Sequence, residues 1–158
     1  MSEVRFIADS MLGSLARWLR ILGFDTLYFR DIKDNDLIRI ARQQQRIIIT
    51  RDTGLLRNRR IDSLIHIKSN DLRQQLDEFL VWVKGRGIRS QPYTICPLCN
   101  GEILPVDKST IRNDVPEFVF LKLRSFYKCR ECGKVYWEGS HKKGIDEIID
   151  LVGSDRTV

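Results

Sequence analysis

Between Val4 and Lys84 the chain alternates two hydrophobic periods, and that alternation restricts the fold more than any other feature. Val4-Arg5-Phe6-Ile7-Ala8 is a short apolar run closed by Asp9, and Met11, Leu12, Leu15, Ala16, Leu19 and Leu22 then mark one face of a helix. Gly23 stops that helix. Asp25-Thr26-Leu27-Tyr28-Phe29 reads as a second strand, and Asp34 or Asn35 can cap a helix carrying Leu37, Ile40 and Ala41 inward. Arg46-Ile47-Ile48-Ile49-Thr50 is β-branched and apolar on both faces, as a strand covered by helices on both sides should be. A short basic segment runs to Arg60, Ser63-Leu64-Ile65-His66-Ile67 forms a fourth strand, and Asn70 or Asp71 caps a helix carrying Leu72, Leu76, Phe79, Leu80 and Val83. Strands joined by helix-length connections predict a mostly parallel sheet with helices on its faces.

Such a sheet collects ligands outside the carboxyl ends of its strands. Asp9 follows the first strand, Asp31 and Asp34 the second, and Asp52 the third, so acidic groups remote in sequence should converge on one rim. Asp9, Asp52 and Asp34, with Asp36 as the alternative, form the candidate catalytic set. Crowded carboxylates call for a cation, and hard oxygen ligands select Mg²⁺ or Mn²⁺. Held by few carboxylates, such an ion keeps open positions for a phosphodiester oxygen and an attacking water. Each aspartate also has an ordinary local explanation, as a helix cap or as a turn residue after a strand.

Gly85-Arg86-Gly87-Ile88-Arg89-Ser90-Gln91-Pro92 has the composition of a linker and divides the chain into 1–88 and 89–158. Beyond it Phe118–Leu121 and Lys134–Trp137 read as short strands, and residues 145–152 have helical spacing. All four cysteines lie there, as Cys96-Pro97-Leu98-Cys99 and Cys129-Arg130-Glu131-Cys132, with Asn100-Gly101 and Gly133 supplying the turns after each pair. Four thiolates in two such knuckles predict a structural Zn²⁺ ribbon, a staple for a segment too small to bury its own core. The closed ligand set leaves no position for catalysis. Disulfides are disfavoured where nothing resembling a signal-peptide core follows Met1–Arg5, and the expected compartment is the cytoplasm. No apolar run is long enough for a membrane span.

Charge is uneven along the chain. Residues 1–90 hold 17 basic against 11 acidic residues, while 91–158 hold ten of each, so the whole net charge of +6 lies in the first part. Much of it is arginine, whose fork suits phosphate. Arg17 and Arg20 on the first helix and Arg51 beside Asp52 could border the acidic rim and bind flanking phosphates. Trp18 could stack a base, although core packing is the stronger explanation, and His66 inside a strand reads as structural.

Taken together, Arg5–Thr26, Asp34–Ala41 and Arg46–Asp52 resemble the Mut-seven-type C-terminal RNase domain, a branch of the PIN-like nucleases in which a zinc ribbon follows the core. The resemblance extends over nearly the whole chain. It implies a PIN-like α/β fold, a metal-dependent ribonuclease acting on RNA with single-stranded regions, and Asp9, Asp52 and the acidic residue opening the Asp34 helix as metal-site carboxylates. Asp71 is the candidate for the fourth acidic position such cores commonly show. Trp137-Glu138-Gly139-Ser140-His141 also matches the family, making His141 a candidate phosphate contact. The alternative is a non-catalytic RNA- or ribonucleoprotein-binding module on the same scaffold. A phosphoacceptor receiver domain would want paired acidic residues after the first strand, whereas Asp9 precedes Ser10. An NTPase would need a Gly-rich Lys-Ser/Thr loop, which the sequence lacks.

Overall fold

The computed structural model describes residues 3–139 and 142–151, which form two compact units, 1–100 and 101–158. The first unit is built on four parallel strands, β1 (Arg5–Ala8), β2 (Thr26–Tyr28), β3 (Arg46–Thr50) and β4 (Leu64–His66), in the order β2-β1-β3-β4. Helices α1 (Gly13–Ile21), α2 (Asp34–Gln44) and α3 (Leu72–Lys84) connect or follow them. This is the α/β architecture expected of the alternating pattern.

Alternation along β1 sends successive side chains to opposite faces. Phe6 packs edge-on against Phe79 of α3 at 5.0 Å, with Phe24 and Trp82 completing an aromatic cluster. Its neighbour Ile7 turns to the other face and joins Ile48 of β3 with Leu37, Ile38 and Ala41 of α2. Both faces are therefore covered, and Phe6, Ile7, Ile48 and Ile49 are fully buried. Helix α1 ends where expected. Gly23, at φ +89°, donates its amide to Arg20 O while Phe24 donates to Leu19 O, the paired closure that a left-handed residue permits.

Two details differ from the sequence reading. Met11 lies in a 3₁₀ turn, Ser10–Leu12, that precedes α1 and leaves its side chain exposed, outside the inward face assigned to it. Helix α2 takes Lys33 as its cap residue, without a side-chain bond, so Asp34 is the first helical residue and not a cap.

In the second unit β5 (Ile103–Val106), β6 (Phe126–Cys129) and β7 (Val135–Trp137) form an antiparallel sheet in the order β5-β6-β7. Ile111, Val115, Val119, Phe126 and Val135 make its core. Phe118–Leu121, expected as a strand, is instead part of helix α4 (Glu117–Lys122). Pro116, the cap residue ahead of Glu117, offers its carbonyl to the amides of Val119 and Phe120 and so starts the segment as a helical turn. The tail forms α5 (Lys142–Leu151). Among the described residues no helix is long and apolar enough to cross a membrane.

Candidate functional site

The strand order reverses direction between β1 and β3, so the crevice of the sheet opens at their carboxyl ends. Ala8 pairs with Ile49, which sets Asp9 beside Thr50. Asp9 is only 5% exposed, and its amide donates to Ile49 O at 2.9 Å. Its Oδ1 accepts from the Ser10 amide at 2.7 Å, and its Oδ2 accepts from the fully buried Thr50 hydroxyl at 2.8 Å. The same hydroxyl accepts from the Asp52 amide at 3.0 Å. Thr50 thereby ties the two strand ends together. Asp52 caps the following 3₁₀ turn (Thr53–Arg57), its Oδ1 accepting from Gly54 at 2.8 Å.

Asp34, an exposed residue, opens the first turn of α2, near enough to Asp9 and Asp52 to feel their charges. Burial, then the nearby carboxylates of Asp9 and Asp52, raises its carboxyl above the usual range. Asp36 does not share this setting. Two residues on, about 200° round the helix, it is exposed as Asp34 is but carries Arg39 Nη2 on its Oδ1 at 3.1 Å. Starting α2 at Asp34 separates the two, because residues two apart on a helix do not face the same way. Asp71 caps α3, accepting from the Gln74 amide at 3.1 Å.

The basic candidates are placed differently from one another. Arg17 is exposed on α1. Arg20 is buried, and its Nε donates to Thr26 O at 2.8 Å while Nη1 donates to Pro97 O at 3.1 Å. It thus faces the first cysteine knuckle. Burial pulls its pKa below the ordinary guanidinium value, against the raising effects of Cys99, Cys96 and Asp25. Arg51 donates from Nη2 to Asn70 Oδ1, and its carbonyl meets His66 Nε2 at 3.3 Å. Trp18 is half-buried. His141 lies outside the described residues.

The four cysteines come together. The Sγ atoms of Cys96, Cys99, Cys129 and Cys132 all lie within 4.8 Å of one another. Zn–S bonds of about 2.3 Å in a tetrahedron put sulfurs roughly 3.8 Å apart, so the cluster could hold a structural zinc ion with little adjustment. The knuckle turns are alike: Asn100 N donates to Cys96 O at 2.9 Å and Gly133 N to Cys129 O at 3.1 Å, with φ of +68° and +75° at Asn100 and Gly133. Among the described residues no other set of three or more His, Cys, Asp or Glu is gathered this tightly, so the aspartate rim is a wider arrangement.

Two features escaped sequence reasoning. Thr50 gave the weak signal of a hydroxyl residue ending an apolar strand two places before an aspartate. The second is a polar seam under the first knuckle. Asn100 accepts from Thr26 N at 2.9 Å and donates to Asp25 Oδ1 at 2.7 Å, and Asp25 also accepts from the buried Arg46 at 2.6 Å. No local pattern announces bonds that join residues 21 and 75 positions apart.

Comparison with known proteins gives one result of consequence. No curated protein matches the chain. The family model of the Mut7-C RNAse domain matches residues 4–149, the parallel-sheet unit and the cysteine cluster alike. The chain therefore belongs to the Mut7-C RNAse domain family.

Proposed function

We propose that this protein is a metal-dependent ribonuclease of PIN-like type, with Asp9, Asp34 and Asp52 as the carboxylates that hold Mg²⁺ or Mn²⁺ and with a structural Zn²⁺ in the cysteine cluster. The observation that carries the reading is the Thr50 hydroxyl, which links Asp9 Oδ2 to the Asp52 amide at the point where the strand order reverses. The donor set is one a hard cation takes: the three carboxylates come from three elements, and burial first, then the charges of Asp9 and Asp52, raises the Asp34 carboxyl. An ion such as Mg²⁺, which keeps several of its waters, can be held through those waters by carboxylates that do not all touch it. When bound, such an ion supplies charge stabilisation to phosphoryl oxygens and acidifies water.

The chain's own residues prepare this site. Ser10 and Thr50 fix both oxygens of Asp9, leaving each with lone-pair capacity toward the rim. Gly54 does the same for Asp52 Oδ1, so two of the three carboxylates need no reordering when a strand arrives. Arg17, exposed on α1, is available to a flanking phosphate. Arg20 is committed to the first knuckle and belongs to the scaffold.

The test is cleavage of a single-stranded RNA by zinc-loaded protein with and without added Mg²⁺ or Mn²⁺, beside Asp9→Asn and Asp52→Asn. Both variants should keep the circular dichroism and zinc content of the parent and lose at least a hundredfold in rate. Undiminished cleavage in both would overturn the mechanism, and RNA bound but uncut by the parent would instead establish a binding module.

A further inference from the structure

A groove on the flank of the first unit runs alongside α2. Arg39, Arg42 and Arg60 line its wider part, of about 580 Å³, and Arg42 and Arg60 also line an adjoining part with apolar walls from Ile38, Ile48 and Ile61. Two acidic residues border it. Asp36 is neutralised by Arg39 at 3.1 Å, and Asp62 lies on the adjoining part. Arg46, also at the adjoining part, is spent on Asp25, Gln44 and Phe6 O. Arg42 is exposed, and exposed Arg60 uses Nη2 on Asn35 Oδ1 at 2.9 Å, which leaves the rest of its fork open. None of these arginines is among those the sequence nominates for substrate.

The groove's position gives it a direction. Asn35 is in the first turn of α2, as Asp34 is, so Nη2 of Arg60 lies at that end of the helix, whereas Arg42 lies two turns further along, about 12 Å from Asp34 in axial rise at 1.5 Å per residue. Two cationic forks spaced along an open trough, with apolar side chains between them, suit an extended chain of phosphates carrying ribose and base. A folded protein surface would be a poorer match, since the trough offers no broad apolar face.

We propose that this groove, through Arg42 and Arg60, carries the backbone of the RNA strand as it leads away from the Asp9–Asp34–Asp52 rim. The inference rests on the ribonuclease reading for the identity of the strand, and sets the minimum substrate: an oligonucleotide long enough to span rim and groove binds more tightly than one that covers the rim alone.

Zinc-loaded Asp52→Asn protein of residues 1–158, which should bind without cutting, is titrated with fluorescent oligouridylates of about 20 and 2 nucleotides over a range of salt. Adding Arg42→Ala and Arg60→Ala should weaken the long ligand about tenfold and lower the slope of log affinity against log salt by about 1.4, at roughly 0.7 per phosphate contact. The short ligand and the melting temperature should be unchanged. The paired Lys substitutions should restore the slope. Long-ligand affinity and slope indistinguishable from the parent would overturn the groove, and so would equal losses for both ligands. The two proposals separate cleanly: native protein that cleaves RNA while the arginine variants bind normally removes the groove alone. Binding that falls as stated in a protein inert with every divalent ion removes the nuclease reading alone.

Discussion

Replacing Arg20 by Met keeps the length of the side chain and deletes its charge and donors. The guanidinium is 6% exposed and bridges two carbonyls, Thr26 O at 2.8 Å in β2 and Pro97 O at 3.1 Å between the first two cysteines. Bonds from a charged donor are worth roughly 1.5–3 kcal/mol each, and releasing the cation from burial returns part of that. The expected net loss is about 2–3 kcal/mol. For a chain of this size, at about 2–4 °C per kcal/mol, the melting temperature should fall by about 4–12 °C. Thermal unfolding by circular dichroism reads this loss, and, with the Pro97 carbonyl released, zinc should be stripped at a lower chelator concentration than from the parent. Because the Thr26 amide donates to Asn100 Oδ1, Asn100→Ala should couple to the Arg20 change by about 0.5 kcal/mol or more in a double-mutant cycle. RNA affinity should keep its salt slope. A variant with unaltered melting and zinc retention but a slope reduced by about 0.7 would refute the reasoning, for it would show Arg20 touching phosphate and not holding the knuckle.

Thr50→Val preserves shape and removes the hydroxyl that serves both Asp9 and Asp52; cleavage should fall about 10–100-fold at saturating Mg²⁺, with kcat and not KM carrying the change in a steady-state assay. Glu78 gives a pH-dependent prediction. Burial would raise its carboxyl, but the Ser69 hydroxyl and the amides of Lys68 and Ser69 outweigh that and hold it below the ordinary value of 4.5. A lowered folded pKa makes the contribution complete above the unfolded value and removes it as pH falls through the folded one. The stability gap between native protein and Glu78→Gln, about 1 kcal/mol at pH 7 after allowing for solvent screening, should therefore close below about pH 4.5 in urea titrations.

What could be read in advance follows physical range. The parallel sheet announced itself because strand and helix periods are local, and β3 spans Arg46–Thr50 as its β-branched run suggests. The placement of Asp9 and Asp52 at one rim needed only the rule that parallel strands present their carboxyl ends together. Choosing between Asp34 and Asp36 required the first turn of α2 to be known to the residue, and the α2 sequence allows either start. Arg20 was misleading for a different reason. A cation on a helix reads as solvated until one knows that two carbonyls, one of them 77 positions away, close over it. Phe118–Leu121 failed as a strand because a short apolar run fits a helical turn as well, and Val119 and Phe120 bond back to the Pro116 carbonyl while Val119 packs into the core of the second unit.

The close passage of residues 91–100 over the first unit bears on how the chain can be cut. A β-carbon on Gly23 would stand 2.0 Å from Gln91 O, and Tyr93 donates its amide to Ile21 O at 3.0 Å. A fragment ended in the Gly-rich stretch near residue 88 would strip these partners away. It would open the seam at Thr26 and Asp25 and leave Arg20 without its Pro97 carbonyl. The smallest piece able to keep its sheet intact must therefore extend through Asn100, and with it carry half of the thiol ligands wherever the nuclease fold is transplanted.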